Sequence, residues 1–316
     1  MENSNRSFIY LNLHSLTYSA GDYLKGEVYL KLITSTEAES IILKFTGFES
    51  AKLNNTSTDQ ESKSELVSYE ITLHKWDNSR AKAGDYIFPF EIFLNSNLPS
   101  STLLILDELT AQIVYNLEVK MTDELSSSDI ISLKSQQDFP SGPNRSDTSI
   151  DVKSCFCIKR STIDLEAKAS KFSYTCHEII KLSIIGMCPL MPKVKLAFSR
   201  SIMMTKPNGE AHMIKSLIYE QETSEENIDI DLMKFEDRLK VQCTSKGKCI
   251  SCSYSITITG LLNAMCPGEE PEVLLWIFIN PPYKAPSMSR LSLQWRPVYM
   301  NGVHYNDSIN ISDDSW

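Results

Sequence analysis

The sequence predicts an all-β chain folded as two tandem β-sandwich lobes. Three observations carry this expectation. Segments alternate apolar and polar residues with the period of two that a half-buried strand requires. The most regular is Ala111–Lys120, where Ile113, Tyr115, Leu117 and Val119 oppose Gln112, Asn116, Glu118 and Lys120. Helical periods are few, whereas Ile, Val, Thr, Tyr and Ser are plentiful. The second half also echoes the first. Tyr18-x-x-Gly21-Asp22-x-Leu24-Lys25 returns as Tyr174-x-x-His177-Glu178-x-Ile180-Lys181, and Ile113-x-Tyr115-x-Leu117-x-Val119 as Cys252-x-Tyr254-x-Ile256-x-Ile258. A chain of 316 residues is long enough for two domains of ordinary size.

Taken in order, Phe8–Leu13 is a first strand and Tyr18–Tyr23 a turn around Gly21. Residues 24–32 alternate and form a second strand. Residues 40–49 form a third, with Ile41, Leu43, Phe45 and Gly47 as the better core face. Residues 54–65 are polar and low in complexity, so a mobile loop is expected, either a solvated insertion or a contact loop. A strand resumes over 66–76. Residues 83–94 are aromatic and strand-forming, yet Pro89 interrupts them. Proline donates no ladder hydrogen bond, so this strand should lie at an edge or break there. Gly84 turns the chain into it, and Leu98-Pro99-Ser100-Ser101 ends the segment. One further strand is expected at 130–133.

Residues 123–149 are rich in Ser, Asp, Gly and Pro, which places the boundary near Pro140-Ser141-Gly142-Pro143-Asn144. The expected division is a first lobe with its linker at 1–150, a second lobe at 151–305 and a polar tail at 306–316. In the second lobe, strands are expected at 161–167, 179–185, 193–203, 214–221 and 272–279, with a closing strand at 291–295. His177 stands where the first turn has glycine, so that turn should differ in type. Residues 228–240 suit a short helix or another strand.

Formal net charge is -9 and unevenly spread. Residues 1–150 hold 12 Lys+Arg against 21 Asp+Glu, and residues 151–316 hold 19 against 19. An acidic half and a balanced half, without a basic stripe, exclude nucleic acid as the expected partner. The polar start Met1-Glu2-Asn3-Ser4-Asn5-Arg6 is unlike a signal peptide, and no apolar run has membrane-spanning length. A reducing cytoplasmic setting is expected, in which the eight cysteines are thiols or metal ligands rather than disulfides.

Cys155-x-Cys157 and Cys249-x-x-Cys252 together supply four thiolates of the kind zinc takes. Strand alternation, however, places Cys155 and Cys157 on one face, and no knuckle glycines accompany them, so ordinary buried thiols are the expected state. Cys155 and Cys157, beside Lys153, Lys159 and Arg160, also suit S-acylation and a reversible membrane contact. The five histidines show no ligand spacing. No nucleophile elbow, phosphate loop or metalloprotease motif is present, so no enzyme and no cofactor are expected.

Several motifs together resemble the arrestin family. They are Tyr18-x-x-Gly21-Asp22-x-Leu24-x-Gly26-Glu27-Val28, Ile42-Leu43-Lys44-Phe45-Thr46-Gly47, Gly84-x-Tyr86-x-Phe88-Pro89-Phe90 with Leu94 and Leu98-Pro99-Ser100, and Ala111-x-Ile113-x-Tyr115. Cys155-Phe156-Cys157 and the stretch from Tyr174 to Glu178 resemble the α-arrestin, arrestin-domain-containing branch. The resemblance covers roughly residues 8–296. It implies two immunoglobulin-like sandwich lobes and a cytosolic adaptor that binds the cytoplasmic tails of membrane proteins. Trafficking or ubiquitin machinery would be the other partner, with association at endosomes or the plasma membrane. It assigns no partner-binding residue here. Pro281-Pro282-Tyr283-Lys284 lacks the spacer of the Pro-Pro-x-Tyr ligase-recruiting motif and abuts a strand, so direct ligase recruitment is not expected from it. The N-terminal lysines Lys25, Lys31, Lys44 and Lys75 are scattered in an acidic half, which argues against a strong phosphate sensor. The retromer coat subunit Vps26 shares the two-lobed fold and is the alternative reading.

Overall fold

A computed structural model describes residues 6–54, 61–136, 142–153, 159–206, 208–235, 243–263, 269–282 and 297–306. The first lobe runs β1 (Phe8–Leu13), β2 (Thr17–Ser19), β3 (Tyr23–Leu32), β4 (Thr36–Glu37), β5 (Ser40–Leu53) and β6 (Glu61–Lys75). It continues through β7 (Arg80–Ala81), β8 (Gly84–Phe93), β9 (Thr102–Ile105), β10 (Leu109–Lys120) and β11 (Ser126–Lys134). One sheet has the order β1-β3-β8. The other is β2-β11-β10-β5-β6, with β9 also beside β10 and a small β4–β7 ribbon apart.

The second lobe holds β12 (Asn144–Lys153), β13 (Lys159–Ala169), β14 (Ser173–Thr175), β15 (Ile179–Ile185) and β16 (Lys193–Thr205). It adds β17 (Ala211–Thr223), β18 (Asn227–Asp231), β19 (Ser245–Lys246), β20 (Ile250–Leu261) and β21 (Glu272–Asn280). Its sheets are β12-β13-β15-β18 and β14-β21-β20-β16-β17, with β19 beside β20. The larger sheets of the two lobes share one strand order, and the sequence echo reflects this. β2–β3 corresponds to β14–β15, and β10 to β20. Gly21 turns with φ +86°, whereas no positive φ occurs at His177, so the second turn differs as expected. There Glu178 accepts the Thr175 N–H at 2.6 Å. Among the described residues there is no α-helix, only two short 3₁₀ turns, and no helix is long and apolar enough to cross a membrane. The chain is an all-β protein of two sandwich lobes.

Alternation builds the cores. On β5, Ile41, Leu43 and Phe45 are buried and face Tyr115, Leu117 and Val119 of β10, which are buried too. Gly47 continues that face because the Tyr115 ring occupies the space a Cβ would need, 2.5 Å away. The Tyr115 hydroxyl donates to the Pro99 carbonyl at 2.8 Å, a buried polar pair tying β10 to the loop after β8.

Several expectations change. β6 starts at Glu61, so it takes in the end of the polar stretch 54–65 expected as a loop, and β5 runs on to Leu53, past the expected end at Glu49. β8 is unbroken at Pro89, which pairs with Glu27 of β3. Residues 144–153 form a ten-residue strand that pairs with β13, so the expected division at 150/151 falls inside a strand of the second lobe. Its polar composition hid it, since an edge strand with solvated side chains carries little apolar signal. Residues 228–240 begin as strand β18 and then a 3₁₀ turn, Leu232–Phe235. Residues within the expected second lobe form two further strands, β22 (Val298–Tyr299) and β23 (Val303–Tyr305), which pair with β8 of the first. The closing strand at 291–295 and most of the 306–316 tail lie outside the described residues.

Replacing Tyr115 with Phe should remove the buried hydroxyl and leave the Pro99 carbonyl unsatisfied. Urea denaturation should then show a loss of about 1–3 kcal/mol with an unchanged m-value.

Candidate partner-binding surface

The outer face of the β1-β3-β8 sheet is built by the same alternation that fills the core. Ile9, Leu11 and Leu13 point inward and are buried, which turns Phe8, Tyr10 and Asn12 outward. The register aligns Tyr10, Tyr29, Ile87 and Tyr299 in one row across four strands. In the next row Asn12 Nδ2 donates to the Tyr29 hydroxyl at 2.7 Å, which donates to Glu27 Oε2 at 2.6 Å. Burial foremost, then the Glu27 acceptor, holds the Tyr29 phenol well above its usual range, so it remains a neutral donor.

The two edges of this sheet differ. β8 carries β22 and β23 as parallel neighbours, pairing at Tyr86–Ile87 and again at Phe90–Ile92. The gap falls at Phe88 and Pro89, and Pro89 has no N–H to offer. The Met300 N–H closes the first ladder on the Ile87 carbonyl at 2.9 Å, and Gly302 passes Pro89 at a distance where a Cβ would make ordinary van der Waals contact, 3.7 Å. On the inner side Val303 and Tyr305 pack on the core, and the Tyr305 ring lies 5.0 Å from that of Tyr69 on β6. These strands therefore close the side of the sandwich between β8 and β6. On the outer side Glu91 holds Lys25 Nζ at 2.8 Å and His304 Nδ1 at 3.2 Å. Lys25 is the main reason the Glu91 carboxyl lies below its ordinary value. By contrast β1 pairs only with β3 among the described residues, so its outer edge carries no neighbouring strand.

The lobes meet at a polar seam. Glu49, on β5, is fully buried. Its Oε1 accepts the backbone N–H groups of Lys248 and Cys249 at 2.8 and 2.9 Å, in the turn between β19 and β20. Gly247 is required there, since a Cβ would lie 2.0 Å from Glu49 Oε2. Ser62 Oγ donates to the Thr205 carbonyl at 2.8 Å, and Ser245 Oγ to the Ser100 carbonyl at 2.8 Å. Beside the seam runs a groove of 460 Å³ lined in part by Leu66, Tyr69, Asn97, Lys246 and Lys248.

Of the cysteines singled out by spacing, Cys155 and Cys157 lie outside the described residues. Cys249 sits in the seam, where burial foremost and then Glu49 push its thiol up to about 11. Cys252 points into the second core, and burial pushes it to about 11 as well. Both are neutral thiols at physiological pH, facing different surroundings. Among the described residues no three His, Cys, Asp or Glu side chains gather to hold a metal. Sequence reasoning missed the return of β22 and β23 to the first lobe. The signal available was slight: Val298, Tyr299, Val303 and Tyr305 in two short β-forming runs.

Residues 8–129 match the family model described as arrestin (or S-antigen), N-terminal domain. No curated protein matches the chain. The match does not favour the coat-subunit alternative.

Glu49→Ala should leave the Lys248 and Cys249 amides without their acceptor and lower stability by about 3 kcal/mol in urea denaturation, with Glu49→Gln less affected because its carbonyl still accepts. Glu91 has a depressed folded-state value, so its contribution is present above the ordinary glutamate value of 4.5 and lost as pH falls through the lower folded value. Hydrogen-exchange protection at Val303–Tyr305, corrected for intrinsic rate, should therefore fall on acidification below that range, and Glu91→Gln should abolish the step.

Proposed function

We propose that this chain, whose first lobe belongs to the arrestin family, is a non-catalytic adaptor for membrane-protein cargo. Proteins of this family are non-enzymatic adaptors that bind cargo and trafficking partners. In this reading cytoplasmic segments of membrane proteins bind the first lobe, and the two lobes together present them to endocytic or endosomal machinery. The α-arrestin branch, suggested by Cys155-Phe156-Cys157, belongs to the same proposal, as does a cytoplasmic location with peripheral contact at endosomes or the plasma membrane.

One observation supports it most: of the two edges of the β1-β3-β8 sheet, one is covered by the chain's own β22 and β23, and the other carries no strand among the described residues. An uncovered edge offers backbone donors and acceptors to an added strand, which recognises an extended tail without a dedicated pocket. Phe8 and Tyr10 flank that edge and supply apolar contact to alternate side chains of the incoming segment.

Proximity labelling in the native cell, with the full chain and with Tyr10→Lys, tests this. The expected result is labelled membrane proteins for the wild type and their loss for the variant. A stoichiometric coat complex in place of membrane cargo, or labelling indifferent to the substitution, would sink the reading.

A further inference from the structure

We propose that the chain self-associates through β17, pairing edge to edge with β17 of a second copy to form a symmetric dimer. β17 spans Ala211–Thr223 and pairs with β16 alone among the described residues, which makes it a long edge of the second lobe's larger sheet. Its outward row is apolar at the start. Met213 is 67% exposed and Leu217 52%, beside Met203 of β16 at 38%. Long edges with exposed apolar side chains are templates for another strand unless they are blocked.

The charge pattern selects the occupant. The first half of β17 carries His212 and Lys215, and the second half carries Glu220 and Glu222. A β-bulge separates the halves: Phe198 of β16 pairs with Tyr219, and the next residue, Ser199, pairs with Leu217. That extra residue changes the parity of the strand. Tyr219 and Thr223 turn inward, Tyr219 against Phe235, while Glu220 and Glu222 come to the same outer face as Met213, Lys215 and Leu217. An antiparallel copy in the register that sets Lys215 opposite Glu220 makes that pair twice by symmetry, places Met213 beside Glu222 of the other chain, and leaves Met213 and Leu217 of both copies on one continuous face. Parallel pairing in register would oppose like charges. Glu220 already holds Lys195 of its own chain at 2.7 Å, so it would bridge two ammonium groups. This self-complementarity distinguishes a second copy from a foreign strand, and it lies on the opposite lobe from the β1 edge.

Sedimentation equilibrium of the full chain tests the proposal. The wild type should show a concentration-dependent monomer–dimer equilibrium. Lys215→Glu and Glu220→Lys should each weaken dimerisation by about tenfold or more, because every dimer gains two like-charge pairs. The double exchange should restore it, and Leu217→Lys, which puts a charge on the apolar outer face near the dyad, should weaken it independently, with melting curves confirming that each variant folds. A wild type that remains monomeric, with or without uptake of an added peptide at this edge, overturns the proposal. So does a dimer that the single exchanges do not weaken, or one that the double exchange does not restore.

Discussion

A single buried carboxylate joins the two lobes. Glu49 leaves its own sheet and ends in a turn of the other lobe, where two backbone N–H groups meet one of its oxygens. A polar group removed from water is tolerable only when hydrogen bonds replace its hydration, and peptide groups held in a turn do this for Oε1, whereas Oε2 is buried without a hydrogen-bond partner among the described residues. The demand runs both ways. The turn cannot tolerate a side chain at Gly247, because Glu49 already fills that space. The Ser62 and Ser245 hydroxyls repeat the pattern, each donating to a carbonyl of the other lobe. The seam is thus fixed by directional contacts, and the groove beside it takes its shape from them.

The second organising feature is the management of sheet edges. β8 would be an open edge, and Pro89 alone would blunt only its middle. The chain covers the remainder itself, with two short ladders that straddle the proline. The same strands bury Val303 and Tyr305 over the gap between the two sheets. Both the first lobe's stability and its choice of usable edge therefore depend on residues nearly three hundred positions away from β1. The first lobe's sandwich is completed by Val298–Tyr305.

Much of the architecture was legible in the sequence. The alternation of β10 and β5 named their core faces correctly down to Gly47, because burial on one side of a pleated strand imposes a period of two. The echo of Tyr18–Lys25 in Tyr174–Lys181 marked two lobes with a common strand order, and the motifs around Gly84 and Pro89 pointed to the family that the first lobe matches. Polar strands were not legible. Asn144–Lys153 and the start of β6, Glu61–Glu65, gain their order from ladder hydrogen bonds that composition does not record.

The chain's local pattern was enough to establish an all-β, two-lobed protein, since alternation and turn residues act over a few positions. Which edges carry a strand of the chain's own, where Glu49 finds its acceptor-hungry amides, and that the last strands return to β8 were decided by the tertiary structure alone. Each joins residues far apart in sequence, as Glu49 and Cys249 are, and no local pattern encodes the partner. The bulge in β17 is of the same kind, for it is a mismatch between two strands and is a property of neither alone.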